Sequence, residues 1–289
     1  MEILKVILLG IVQGVTEFLP ISSSGHLSVF QHFLNMSGDG SLTLSVFLHI
    51  GTLVAVVFVY YKTFIELIKE LASTVKELFT GKLSLKNADG NRHMLYMMIL
   101  SCIPLLVIIL PIGNDMRVMD LVSRFSEDDD IILEGFCFLA TSVLLLAGTR
   151  VARTRKHIKQ RAEVGDAVCV GVAQLFAACF PGISRSGSTI STGMLCGVDK
   201  DYMVRYSFVL GTPAVLAANL VEFKDVFEAG VMDVSILSII LGVVTAAVVG
   251  VLSIKLLEML VKTDKFKFFG YYCLVLGIAV ITAGIVEKF

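Results

Sequence analysis

Long apolar stretches alternate with polar loops along the chain, and the length of each stretch predicts the element that it forms. A helix needs about 20 apolar residues to cross a hydrocarbon core about 30 Å thick. Six stretches come close to that length and carry few charges. They cover residues 44–61, 94–112, 131–149, 202–221, 236–257 and 266–286. The pattern therefore predicts an all-α integral membrane protein with six transmembrane helices.

Two further apolar stretches, 3–36 and 166–198, are interrupted in the middle. Each contains a proline, Pro20 or Pro181, followed by a cluster of serines and glycines. Proline ends or kinks a helix, and the backbone at the break needs hydrogen-bond partners that hydrocarbon cannot provide. Broken backbone at membrane depth is tolerated where protein or a water-filled cavity surrounds it. Both stretches are therefore predicted to be re-entrant helical hairpins.

The basic residues of the loops are distributed unequally between the two sides that this topology defines. Sixteen lysines and arginines fall on one side, whereas the other side has only Arg117, Arg124 and Lys224, beside the acidic run 127–130. Cytoplasmic loops carry the excess of basic residues. We therefore expect both termini to be extracytoplasmic, the first hairpin to enter from outside and the second to enter from the cytoplasm.

The two hairpins resemble each other in sequence. GIVQGVTEFLPISSSGH, residues 10–26, aligns with GVAQLFAACFPGISRSGS, residues 171–188, with one inserted residue. The spans that follow share a Gly-Thr pair, at 51–52 and at 211–212. Each half then consists of a hairpin and three spans, and an odd number of spans orients the halves oppositely. We predict one membrane domain, 1–289, built from inverted repeats at 1–150 and 165–289.

The composition agrees with this fold. Of the 289 residues, 56% are hydrophobic and 17% are charged, and the mean hydropathy is +0.84. Soluble domains carry about 25% charged residues. The formal net charge of −1 argues against a bulk electrostatic partner such as nucleic acid. The lipid bilayer is the expected partner.

Hairpins that enter from opposite sides bring their tips together near the middle of the membrane, and both tips are polar. Arginine offers a planar fork of donors to phosphate oxygens, hydroxyls add contacts, and backbone N–H groups at a Ser/Gly-rich helix start form an anion cradle. The composition of the tips therefore suits a phosphate group. The polar residues are Gln13, Glu17, Ser22, Ser23, Ser24 and His26 in the first hairpin, and Ser184, Arg185, Ser186, Ser188 and Thr189 in the second.

Glu17 needs a role other than binding phosphate, because two anions repel each other. It is a candidate general base that activates a serine or a water, and a candidate ligand of a divalent cation that bridges to phosphate oxygens. Gln13 lies one turn earlier on the same helical face. His26 is a candidate proton relay or nucleophile.

These residues also have structural interpretations. A serine in a membrane helix commonly bonds back to its own turn. Glu17 and Arg185 could form an ion pair that only joins the hairpins, although ionisable residues at membrane depth indicate function in general. The other histidines are interpreted as packing or surface residues; they are His32, His49, His93 and His157.

Two ordered motifs carry a resemblance to a known family. One runs from Gln13 through Glu17 to the histidine of FLPISSSGH, and the other is PGISRSGST, residues 181–189. On these motifs the whole chain resembles the undecaprenyl-diphosphatases, also called bacitracin-resistance proteins. The resemblance implies six spans and two re-entrant helix pairs in interdigitated inverted repeats. It implies removal of the terminal phosphate from undecaprenyl diphosphate, which recycles the carrier lipid for peptidoglycan synthesis, at a site open to the outer face of the bacterial cell membrane.

The resemblance also implies roles for individual residues. It places the essential carboxylate at Glu17, the nucleophile candidates at Ser23 and His26, and the phosphate clamp at Arg185. Activity in the family is linked to divalent cations, so Mg²⁺ or Ca²⁺ is the expected cofactor, with Glu17 as its candidate ligand. Further substrate contacts are expected from Gln13, Ser24, Ser184, Ser186 and Thr189.

The chain departs from the family pattern at two positions. Gln13 stands where many relatives have glutamate, and Ser24 stands where threonine is common. One carboxylate remains where others have two. This difference weakens any scheme that requires a pair of acidic metal ligands.

Two other functions fit parts of the sequence. Inverted repeats with broken helices are also transporter architecture, so a transporter or flippase of polyprenyl phosphate lipids is the main alternative. A scaffold protein is disfavoured by the ionisable groups at the hairpin tips. A base, a nucleophile and a charge clamp together favour the phosphatase, because a transporter needs only the clamp. The identity of the nucleophile and the oligomeric state stay open, with a homodimer among the options.

Overall fold

The computed structural model describes residues 3–33, 39–81, 90–111, 118, 131–180, 182–229 and 235–288. These residues form eleven α-helices and one 3-10 segment, Ile103–Ile109, and contain no β-strand. The all-α prediction is therefore confirmed. The helices are α1 Ile3–Thr16, α2 Ser23–Phe33, α3 Asp39–Val59, α4 Tyr61–Phe79, α5 Gly90–Cys102, α6 Ile132–Thr154, α7 Val164–Cys179, α8 Arg185–Leu195, α9 Lys200–Ala229, α10 Ile236–Lys262 and α11 Lys267–Glu287.

Five helical segments are long and apolar enough to cross a membrane, and a bent pair of helices supplies a sixth candidate. The bent pair joins Leu44–Val59 to α4 at an angle of 84°. These segments coincide with the predicted apolar stretches, so the chain is a multi-pass helical membrane protein. The five segments are Gly90–Ile108, Ile132–Thr154, Lys200–Val221, Ile236–Lys262 and Lys267–Glu287.

Helix α4 is an element that the hydropathy pattern did not predict. The sequence indicates a loop after residue 61, whereas the chain continues as a helix to Phe79 after the sharp bend. Some sequence predictions concern residues outside the described ranges. They are those for 34–36, 112, Arg117, Arg124, 127–130 and Pro181.

Glycines let the helices around the first hairpin approach closely. Helices α1 and α3 both pack on α10. A Cβ atom at Gly14 of α1 would lie 2.8 Å from the carbonyl oxygen of Ala246, and one at Gly51 of α3 would lie 2.5 Å from that of Val243. Larger side chains would separate these backbones, which is why small residues are favoured where membrane helices touch.

The second hairpin is held in a similar way by other helices. Helix α7 packs on α5, and α8 packs on α6, α7 and α9. A Cβ atom at Gly171 of α7 would lie 2.5 Å from the carbonyl oxygen of Ser101 in α5. The breaks in the two hairpins, residues 17–22 and 182–184, thereby come together among the helices.

Candidate active site

The two hairpin tips are in direct contact. The N–H of Gly182 donates a hydrogen bond to the Ser24 hydroxyl, with 3.2 Å between the nitrogen and oxygen atoms. A Cβ atom at Gly25 would lie 3.2 Å from the Cα of Gly182, so the first tip has room for this approach only without a side chain there. The predicted meeting of the tips is therefore present in the structure.

Each tip starts its second helix with a serine that caps the first turn. Ser22 accepts a hydrogen bond from the N–H of Gly25 at 3.2 Å, and Ser184 accepts one from the N–H of Gly187 at 3.0 Å. A capping hydroxyl satisfies a backbone donor that a helix start leaves unpaired. Each capping hydroxyl also lies 3.4 Å from the hydroxyl two residues later. The two tips therefore share a local structure as well as a sequence pattern.

Three side chains converge on the carboxylate of Glu17. Arg185 Nη2 donates to Oε1 at 2.6 Å, and Ser23 Oγ donates to Oε2 at 2.7 Å. Gln13 Nε2 donates to the same Oε2 at 3.2 Å. Glu17 is only 8% exposed, and a buried charge without partners is strongly destabilising. The structure thus brings four of the predicted site residues into one cluster.

A narrow cleft lies beside this cluster. A Cβ atom at Gly211 would overlap Nη1 of Arg185, so the guanidinium occupies the space that a side chain at 211 would take. The threonines of both Gly-Thr pairs, Thr52 and Thr212, line the cleft. The lining residues are Glu17, Phe18, Thr52, Leu53, Val56, Arg185, Phe208, Gly211, Thr212 and Val215.

His26 bonds to other partners. Its Nδ1 lies 2.6 Å from the carbonyl oxygen of Ser22, which can only accept, so Nδ1 carries a proton. Nε2 of the neutral ring then accepts from the Tyr272 hydroxyl at 2.8 Å, and the two rings stack with centroids 5.7 Å apart. Within the described ranges, His26 makes no hydrogen bond to Glu17 or Ser23. The structure therefore does not join His26 to the other predicted catalytic residues.

Ser184 and Thr189 of the second tip bond to their own helix and its neighbours. The N–H of Ser184 donates to the Thr141 hydroxyl at 3.1 Å. The Thr189 hydroxyl donates to a backbone carbonyl one turn earlier at 2.9 Å and lies 2.6 Å from the Ser207 hydroxyl. Ser186 is buried. Arg185 is thus the residue of this tip that reaches the carboxylate of the first.

The structure adds His49 of α3 to the site. The sequence favoured packing or surface roles for this residue, but its Nε2 lies 3.9 Å from Oε2 of Glu17. An ionisable residue inside an apolar span is a functional candidate by default, and that signal was present in the sequence. The pattern along α3 does not show which neighbouring helix a side chain faces.

A divalent cation would find few protein ligands here. In the part of the chain that the structure describes, no three His, Cys, Asp or Glu side chains come together. Glu17 offers one carboxylate, with the His49 imidazole nearby. Mg²⁺ is often bound through one or two carboxylates plus substrate phosphates. The donor set fits a cation only in this manner, with phosphate oxygens as most of its ligands.

Comparison with known proteins assigns the family. The family described as bacitracin resistance protein BacA matches residues 6–279. A protein of Alkaliphilus metalliredigens named undecaprenyl-diphosphatase is 38% identical over 97% of this chain and 98% of its own length. Relatives of the same name from Halothermothrix orenii and Methanosphaera stadtmanae are 38% and 34% identical, over 97% and 99% of this chain and 98% and 99% of their own lengths. These matches confirm the resemblance carried by the two motifs, and the chain belongs to the bacitracin resistance protein BacA family.

Proposed function

We propose that this protein is an integral membrane phosphatase that hydrolyses undecaprenyl diphosphate to undecaprenyl phosphate and inorganic phosphate. Membership of the bacitracin resistance family and the shared name of the relatives support this reaction. Its product would return to peptidoglycan synthesis as the carrier lipid. The observation in this chain that carries the proposal is the cluster in which Ser23 and Arg185 both bond to Glu17.

Ser23 is the proposed nucleophile and Glu17 its general base. The Ser23 hydroxyl donates to the carboxylate at 2.7 Å, a distance suited to transfer of its proton during attack. Ser23 Oγ would attack the terminal phosphorus, undecaprenyl phosphate would leave, and the hydroxyl proton would pass to Glu17. Water would then hydrolyse the phosphoserine, which releases inorganic phosphate and restores the serine.

Arg185 is the proposed phosphate clamp. One of its N–H groups bonds to Glu17, and the side chain is 24% exposed, at the cleft. The guanidinium has further donors in a fork that matches two phosphate oxygens. The start of α8 adds backbone N–H groups that favour an anion. Further substrate contacts are proposed for Gln13, Ser24, Ser184, Ser186 and Thr189.

His26 is proposed to position the first tip instead of attacking phosphorus. Its Nδ1 proton is bound to the Ser22 carbonyl, and its Nε2 is bound to Tyr272 of α11. A ring held at both nitrogens fixes the backbone at the point where α2 begins. Ser23 directly follows Ser22, so the bonds of His26 keep Ser23 in place beside Glu17.

Glu17 is the residue that would hold a divalent cation, Mg²⁺ or Ca²⁺, together with phosphate oxygens of the substrate. Such a cation would supply neutralisation of the diphosphate charge. Gln13 stands where a second carboxylate would be in many relatives. A bound cation would therefore rely on the substrate more strongly here.

The proposed topology has six spans and two re-entrant hairpins, arranged as interdigitated inverted repeats within one membrane domain. Helices α1, α2, α7 and α8 have 14, 11, 16 and 11 residues, fewer than the ~20 needed to cross the membrane. Each hairpin packs on a span of the other half, α1 on α10 and α7 on α5. This exchange supports repeats at 1–150 and 165–289.

The proposed orientation, with both termini and the site extracytoplasmic, has a direct test. In a cysteine-free variant, Ser126→Cys should react with a membrane-impermeant maleimide in intact cells. Lys156→Cys should react only after permeabilisation. The opposite reactivity would place the basic loops outside and overturn the orientation.

Phosphate release from undecaprenyl diphosphate by the purified protein in detergent tests the reaction. We expect turnover by the wild type, loss in Arg185→Ala, and a rate that falls with chelator and recovers with Mg²⁺ or Ca²⁺. Lipid translocation without phosphate release would support the transporter alternative, which explains Arg185 but gives no role to the bond between Ser23 and Glu17. Light scattering on the same sample would show whether the protein is a monomer or a homodimer.

A further inference from the structure

Helix α4 changes direction directly after α3. The axes of Leu44–Val59 and Tyr61–Phe79 differ by 84°. Because α3 is a proposed span, α4 runs nearly parallel to the membrane surface. The direction of the backbone alone gives this orientation. The side chains of α4 show which groups the helix presents to its surroundings.

One face of α4 is apolar and exposed. Residues three, four or seven positions apart share a helical face. We call the exposed apolar residues of this face the apolar stripe. A large exposed apolar surface of this kind marks a site of interaction. Its members are Tyr61, Ile65, Ile68, Val75 and Phe79, which are 51%, 47%, 64%, 43% and 86% exposed.

The face of α4 turned away from the apolar stripe is fixed to α5. Arg92 at the start of α5 donates to Glu70 at 2.7 Å and to Glu77 at 3.0 Å. It also donates to Ser73, which lies between them, at 2.9 Å. These bonds determine the rotation of α4 about its axis, so the apolar stripe points away from the protein.

A row of lysines separates the apolar stripe from the face of α4 that carries Glu70 and Glu77. Lys62, Lys69 and Lys76 follow one another at intervals of two helical turns, or about 10 Å along the axis, and all three are exposed. The row lies about 80° around the helix from the centre of the apolar stripe. Lysine can lay its methylene stem on apolar surface while its ammonium group reaches a polar layer.

We propose that α4 is an interfacial helix that docks on a lipid surface bearing anionic phosphate headgroups. The apolar stripe enters the boundary of the acyl chains, the lysine row contacts lipid phosphates, and the bonds to Arg92 hold the helix in the required rotation. Helices with one apolar face and lysines on the polar face lie in the membrane interface in this way. In the proposed topology this surface is the cytoplasmic leaflet, which carries the anionic lipids.

The depth of α4 can be measured because the chain contains no tryptophan. Ile68→Trp would be reconstituted into nanodiscs whose lipids are brominated either near the headgroup end or near the methyl end of the acyl chain. We expect stronger fluorescence quenching by the lipids brominated near the headgroup. Val54→Trp, an exposed position within α3, is the matched control for a span and should be quenched more strongly by the deeper bromines.

Two outcomes of the depth measurement would overturn the proposal. An Ile68→Trp signal without quenching would place the apolar stripe in water or against protein, including a second copy of this chain. A depth equal to that of Val54→Trp would mean that α4 enters the membrane core. Each variant changes an exposed side chain, so circular dichroism should show an intact fold.

The lysine row is tested with brominated lipids that differ in headgroup charge. In the Ile68→Trp background, brominated phosphatidylglycerol diluted into unbrominated phosphatidylcholine should quench about twofold more than brominated phosphatidylcholine at the same fraction. Replacing Lys69 and Lys76 by glutamine should remove most of this preference. Lys156→Gln, which removes a basic residue outside α4, should leave the preference intact. Equal quenching by both lipids, or a preference that survives loss of the lysines, would exclude recognition of anionic headgroups.

Discussion

The two hairpin tips share a backbone arrangement but carry different chemistry. Alignment of the halves places Ser23 opposite Arg185, and Glu17 opposite Ala178. The proposed nucleophile and the proposed clamp therefore occupy equivalent positions, and their side chains meet on one carboxylate from opposite halves. The two tips have the same local backbone geometry but different side chains at these positions, and both contribute to the cluster on Glu17.

The aligned glutamines of the two tips differ in their hydrogen bonding. Gln13 of α1 donates to Glu17 one turn later. Gln174 of α7 has Ala178 at the corresponding place, and neither of its buried amide atoms has a hydrogen-bond partner among the described residues. A buried polar group without a partner costs about 1–3 kcal/mol. The amide of Gln174 therefore lacks a carboxylate partner like the one that Glu17 provides for Gln13.

The largest effect is expected at Ser23. At this aligned position the first tip has the proposed nucleophile and the second tip has the proposed clamp, Arg185. Ser23→Ala removes the attacking oxygen, so phosphate release should fall about 10³-fold or more. Acid quenching with labelled substrate should trap a phosphoenzyme in the wild type and none in the variant. Ser24→Ala, one residue later, is the matched control and should lose about tenfold or less. Near-normal turnover by Ser23→Ala would mean that water attacks phosphorus directly.

The ion pair between the tips should give the next largest effect. Arg185→Lys keeps the charge but loses the fork of donors, so its rate should fall about 10²–10³-fold, almost as far as that of Arg185→Ala. Glu17→Gln keeps the shape and deletes the charge, and a similar loss is expected. Phosphate release and thermal unfolding in detergent separate activity from folding. Wild-type turnover in Arg185→Lys would leave Arg185 only a generic electrostatic role.

Removal of each glutamine compares the two tips directly. Gln13→Leu deletes a donor to Glu17, and about a tenfold lower rate is expected. Gln174→Leu deletes an unpartnered amide at similar volume, so the rate should be unchanged and the free energy of unfolding should rise by about 1 kcal/mol. Equal losses of activity in both variants would show that the second glutamine also serves the reaction.

A smaller loss of rate than that of Gln13→Leu is expected at Tyr272. Tyr272→Phe keeps the stacked ring but removes the donor to Nε2 of His26, so the ring is no longer held at both nitrogens. If His26 only positions the tip, kcat should fall about two- to fivefold with KM unchanged. Nitrogen-15 chemical shifts of the imidazole should report the altered hydrogen bonding. A loss above about 10²-fold would instead assign His26 a part in the chemistry.

The sequence predicts the meeting of the tips because a broken apolar stretch has few stable arrangements in a membrane. It also predicts the cluster of Gln13, Glu17, Ser23 and Arg185, since these residues lie at the breaks or within about one helical turn of them. The environment of His26 could not be predicted in this way. The sequence makes His26 a candidate proton relay or nucleophile, but the ring orientation depends on Tyr272, 246 residues later in the chain.

Two other features were missed for related reasons. His49 reaches Glu17 because α3 packs on the first hairpin, and hydropathy along α3 contains no information about that contact. Helix α4 has alternating apolar and charged residues, so its average hydropathy resembles that of a loop. Its period of 3.6 residues does indicate an amphipathic helix. The bend and the bonds to Arg92 are properties of the folded chain.

The bare backbone at Gly211 has a consequence for the order in which this sequence can change. The guanidinium of Arg185 fills the place of a side chain at 211, so alanine there would displace it without any change in α8. Once the arginine is lost, alanine at 211 meets no such obstacle. The effects of the two substitutions are therefore non-additive. A lineage that loses the arginine and then the glycine cannot regain the clamp by a single substitution, so the loss of this site is difficult to reverse.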